Sequence, residues 1–122
     1  MTVTYANFLQ RAREPGTSRL SVSNVAQLFD LQQQELANLT RSHRNTLRTH
    51  PESPRVQAAM RDLMRVRSAA TAVQPDPELA VFLVKNEPIP AFKHKTLLQL
   101  VEEGRADDAI AYMESIQSGF VG

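Results

Sequence analysis

Arg44, Asn45 and Arg48 lie within five residues of one another in Ser42-His43-Arg44-Asn45-Thr46-Leu47-Arg48, a spacing that one short helix can display together. Their shared chemistry is hydrogen-bond donation. A guanidinium pairs with guanine O6 and N7, a carboxamide with adenine N6 and N7, and either can hold a phosphate. Arg41, His43 and Thr46 belong to the same segment and join them as candidate nucleic-acid contacts. Other candidate chemistry fails on spacing. His43, His50 and His94 are scattered, without the second histidine or carboxylate that a metal site needs. Glu102-Glu103 and Asp107-Asp108 bracket Gly104 and suit exposed helix ends better than a paired acid and base. The sequence has no Gly-rich phosphate loop and no nucleophile elbow. We therefore expect a binding protein rather than an enzyme, with no catalytic residue, metal or cofactor.

The donors need a helix-turn-helix to present them. Residues 34–48, from Gln34-Glu35-Leu36-Ala37 onward, resemble the Glu-Leu-Ala-x-x-x-Gly-x-Ser-x-x-Thr-Leu pattern of phage-repressor-like helix-turn-helix proteins. Ala37 is small enough for two helices to cross closely, and Leu36 and Leu47 are expected to plug the core between them. Ser42 or His43 would cap the second helix. Arg41 stands where that pattern has glycine, so a left-handed turn there is expected to cost about 1 kcal/mol.

The surrounding elements read as helices throughout, because no stretch alternates with period two for long. Tyr5 to Arg13 forms a short first helix, closed by a turn at residues 14–18. Val22, Val25, Ala26 and Phe29 share one helical face behind a Ser21 cap, and Val56, Met60, Leu63, Met64, Ala70 and Val73 mark a long helix from Pro54 to Gln74. Arg55, Arg61 and Arg65 lie away from most of that stripe. Pro75-Asp76-Pro77 ends it and lets another helix begin at Glu78.

That break also divides the charge. Residues 1–74 hold ten arginines and five carboxylates, whereas residues 75–122 hold four Lys or Arg and eight carboxylates, beneath a net charge of only +1 for the chain. Such a split suggests different partners for a 1–74 region and a 75–122 region, with nucleic acid a candidate for the basic one. At 122 residues and 42% hydrophobic, one small domain or two very small ones are expected. No run approaches the roughly 18 apolar residues of a membrane span, no charged-then-apolar signal segment opens the sequence, and a cytoplasmic location is expected. Cysteine is absent, which excludes disulfides and thiolate metal sites.

The last 41 residues carry the second informative pattern. A Pro-interrupted loop leads to a helix capped by Thr96 with Gln99 as the reciprocal partner and ended by Gly104. A second helix follows, with Asp107 and Asp108 at its positive end and Gly119 at its stop. Leu97, Leu98, Leu100, Val101, Ile110, Met113 and Ile116 are expected in the core. Phe120, Val121 and Gly122 remain, and so apolar a terminus must fold back or enter a partner.

This order resembles the toxin-binding domain of the Xre/MbcA/ParS family of bacterial antitoxins. The resemblance rests on Leu97-Leu98-Gln99-Leu100-Val101, Gly104, the helix from Ala109 to Ile116, and Gly119-Phe120-Val121. Where the family often has loop glycines and a helix-opening proline, this chain has Ala91-Phe92-Lys93 and Leu97. The resemblance implies an all-α antitoxin that occludes a RES-domain, NAD-consuming toxin, dimerises and represses its own operon. It points to Phe92, Lys93, His94, Lys95, Tyr112, Gln117, Gly119, Phe120, Val121 and Gly122 as toxin contacts. Two other readings stay open: a stand-alone helix-turn-helix transcription factor whose second half only dimerises, and an immunity or adaptor protein without DNA binding.

Overall fold

A computed structural model describes residues 5–119 of the chain, and Phe120, Val121 and Gly122 lie outside the described residues. The protein is all-α, with eight α-helices, one 3-10 turn and no strand among the described residues. No helix among them is long and apolar enough to cross a membrane. The chain forms two compact units, residues 1–61 and 62–122, which divide within one long helix.

The first unit holds α1 (Tyr5–Ala12), α2 (Val22–Phe29), α3 (Gln33–Thr40), α4 (Arg44–Thr49) and the start of α5 (Pro54–Val73). Ser21 caps α2 by accepting from the Asn24 N–H, as expected. Phe8 and Phe29 meet edge to face with centroids 5.8 Å apart, and Leu20, Val25, Leu36, Leu39, Leu47, Val56 and Met60 are buried with them. Gln57 is the feature that periodicity does not reveal. Buried on the apolar stripe of α5, it accepts from the Leu20 N–H at 2.9 Å and donates to the carbonyls of Leu20 and Pro51 at 3.0 and 2.8 Å. One carboxamide thus satisfies three backbone groups that would otherwise be left wanting partners.

The second unit continues α5 and adds α6 (Pro77–Asn86), the 3-10 turn Pro90–Phe92, α7 (Leu97–Glu102) and α8 (Ala106–Gln117). Asp76 caps α6 by accepting from the N–H groups of Glu78 and Leu79, so the helix begins at Pro77. It runs to Asn86, which takes Phe82 to Asn86 out of the loop that the sequence pattern suggested. Thr96 and Gln99 form the expected capping box on α7. α7 packs on both α6 and α8, burying Ala80, Val84, Leu97, Leu100, Val101, Ala109 and Met113. Leu98 and Ile110 are only half-buried, and Ile116 is 39% exposed, outside the core expected for it. The register explains this: Ile116 is three residues past the buried Met113, while the helix has only one more residue to cover it.

Candidate nucleic-acid and partner interfaces

The α3–α4 corner is built by one stop and one start. Arg41 takes φ 54° and ψ 42°, the left-handed conformation that a glycine would adopt at no steric cost. Its N–H donates to the Asn38 carbonyl at 3.1 Å, and the Ser42 N–H reaches back to Ala37 at 3.0 Å, which together close α3 as a Schellman motif. Thr40, buried beneath the turn, donates its hydroxyl to the carbonyls of Leu36 and Ala37. Ala37, Leu36 and Leu47 are buried as expected.

The expected side-chain cap of α4 is not formed. His43 occupies the capping position without a side-chain hydrogen bond, and the Ser42 hydroxyl turns to the Thr40 carbonyl instead. Ser42 stands one residue before the capping position, which His43 holds.

Arg44, Asn45 and Arg48 are exposed on α4 and, with Gln33, Gln34, Asn38, Ser42 and His43, line one open groove. Every lining side chain is polar, and none is a carboxylate. Arg48 donates to Asn45 Oδ1 at 2.6 Å, which orients the carboxamide and leaves its NH2 as donor. Gln34 does the same for Asn38 at 3.0 Å. Arg41 and Thr46 face a different hollow, shared with His43 and Arg55. The six candidate residues therefore line two adjoining depressions around α4, with His43 on the rim of both. Such a surface can donate to base edges on one side and to phosphate oxygens on either.

The other candidate surface lies wholly in residues 62–122. Its loop is closed by an isolated bridge between Ile89 and Lys95. The Ile89 N–H donates to Lys95, while its carbonyl accepts from both Phe92 and His94, at 2.9–3.0 Å. Lys93 and His94 adopt φ of 57° and 66°, left-handed values in consecutive non-glycine residues. Left-handed backbone thus occurs at the loop even though this chain has no glycine there.

The loop and α8 meet through Phe92 and Tyr112, whose rings contact edge to face at 5.7 Å. Arg105, which the sequence did not single out, lies 5.3 Å over the Phe92 ring. It also donates to Asp108 at 2.9 Å and lies 3.7 Å from Glu103, which receives Lys95. The Lys95 ammonium holds the Glu103 carboxyl below its usual range, with Arg105 adding to the effect. Lys93 and His94 are exposed at the tip. Gln117 and Gly119 are exposed at the end of α8, and the remaining tail candidates lie outside the described residues. Ile116 stands one turn after Tyr112 and extends its face.

His43, His50 and His94 are all exposed, and among the described residues no group of three His, Asp or Glu side chains could hold a metal. Comparison with protein-family models, curated proteins and solved structures gives no match to this chain.

Proposed function

We propose that this protein is the antitoxin of a type II toxin–antitoxin pair, which binds and occludes a RES-domain, NAD-consuming toxin and represses its own operon through the α3–α4 corner. The observation that carries the reading is the Phe92–Tyr112 contact. It joins the loop and the last helix, two segments singled out separately by the resemblance, into one patch on a different compact unit from α4. Toxin binding and DNA binding then use separate surfaces. Neutralisation needs no chemistry from the antitoxin, which fits a patch of two rings whose neighbouring ammonium and guanidinium groups are held by Glu103 and Asp108. The protein acts in the cytoplasm and works as a homodimer or a toxin–antitoxin hetero-oligomer.

Co-expression with the toxin encoded beside it tests this reading. A stable complex on pull-down and restored growth are the expected results, whereas unrelieved toxicity with a folded, soluble partner would reject it. A second reading draws on α6, where Leu79 and Phe82 are 52% and 62% exposed. Apolar residues three apart on one face suit self-association, as a stand-alone transcription factor with a dimerising second half would require. Dimerisation abolished by Leu79→Ser with Phe82→Ser, in a chain that captures no toxin, would favour it.

A further inference from the structure

A second hollow opens on the flank of α4 away from the Arg44–Asn45–Arg48 groove, as the position of Thr46 on the helical wheel requires. Arg41, His43 and Thr46 line it from the turn and α4, and Ser53 and Arg55 line it from the entry to α5. All its ionisable side chains are Arg or His, and most of the other lining groups are hydroxyls. Arg55 donates one N–H to the backbone carbonyl of Arg41 at 3.3 Å, which uses one of its five donors. Two guanidiniums brought to one hollow repel each other, and an oxyanion between them reverses the sign of that interaction.

We propose that this hollow is a phosphate site, in which Arg41 and Arg55 clamp one backbone phosphate of duplex DNA with the Thr46 and Ser53 hydroxyls as further donors. The inference rests on the nucleic-acid reading of α4 and adds Arg55, which that reading did not include. The phosphate fixes the register of the corner on the backbone, and the groove on the other flank is left to meet base edges. Arg41 then has two roles: its backbone ends α3 and its side chain holds the anion.

The test is duplex binding by the full chain across a salt series, on the promoter of its own operon and on an unrelated duplex. Arg55→Gln is expected to weaken both by on the order of tenfold and to make the slope of log K against log salt shallower by about one, the signature of one lost phosphate contact. Arg55→Lys keeps the charge and should restore most of that slope. Arg41→Gln should produce the same paired change while leaving intact the carbonyl that Arg55 uses, so a purely structural role for that hydrogen bond is separated from anion binding. Wild-type affinity and slope in both glutamine variants would overturn the phosphate site and leave the DNA reading standing. Failure of the wild type to bind any duplex would overturn both. Inorganic phosphate that shifts the Arg41 and Arg55 side-chain NMR resonances, when duplex DNA shifts neither, would assign the hollow to free phosphate and overturn the backbone assignment.

Discussion

α4 presents Arg44, Asn45 and Arg48 on a six-residue helix with no side-chain cap, whereas the 89–95 loop presents Phe92 between a closed backbone bridge, the Tyr112 ring and the Arg105 guanidinium. The first surface keeps its donors on exposed side chains that can rearrange around a ligand. The second has its central ring fixed before any partner arrives, which lowers the ordering cost of association. Both use left-handed non-glycine residues, Arg41 in one and Lys93 and His94 in the other. At Arg41 that conformation ends a helix, while at Lys93 and His94 it shapes the 89–95 loop itself.

The strongest way to break this contrast is to remove the support beneath the first surface. Gln57→Leu keeps the volume of a buried side chain but strands the Leu20 N–H and the carbonyls of Leu20 and Pro51. A loss of about 3 kcal/mol is expected, measured by urea unfolding, with DNA binding weakened as the corner loosens. Phe92→Ala probes the other surface. Loss of the ring pair and the cation–π contact should cost about 1–2 kcal/mol, and toxin affinity should fall while promoter binding stays at the wild-type level.

Glycine at the left-handed positions sharpens the comparison. Arg41→Gly and Lys93→Gly should each raise stability by about 0.5 kcal/mol at most, the steric relief of roughly 1 kcal/mol less the entropy that glycine adds to the unfolded chain. Each should nevertheless bind its own partner less well if the side chain removed makes the contact proposed for it. The smallest expected effect is one of pH. Glu103 has its folded pKa depressed by Lys95, so its contribution is present above the ordinary carboxylate value and is lost as pH falls through the lower folded value. Exposure keeps the effect small, and melting curves of Glu103→Gln and wild type should converge at acid pH.

What could be read in the sequence was local. The Ser21 and Thr96 caps, the Gly104 stop and the left-handed turn at Arg41 depend on neighbours within a few residues, so residue type alone points to them. Gln57 was invisible because its partners lie 37 and six residues away and its polarity argues against the burial it has. The meeting of Phe92 with Tyr112, and of Arg105 with Phe92, depends on how α7 turns the chain back, which no spacing encodes. Ile116 obeyed helical periodicity and was still exposed, since α8 ends one residue after it and no neighbour among the described residues covers that turn.

The central claim is that two separable surfaces serve two partners, and a paired assay on two double variants tests it most directly. Promoter binding and rescue of growth from the co-expressed toxin are measured for Arg44→Ala with Arg48→Ala, and for Phe92→Ala with Tyr112→Ala. The first pair should lose promoter binding and still rescue growth, and the second should fail to rescue while binding the promoter as wild type does. Loss of both functions in either variant while circular dichroism shows it folded at the assay temperature, or of neither in both, would contradict the account.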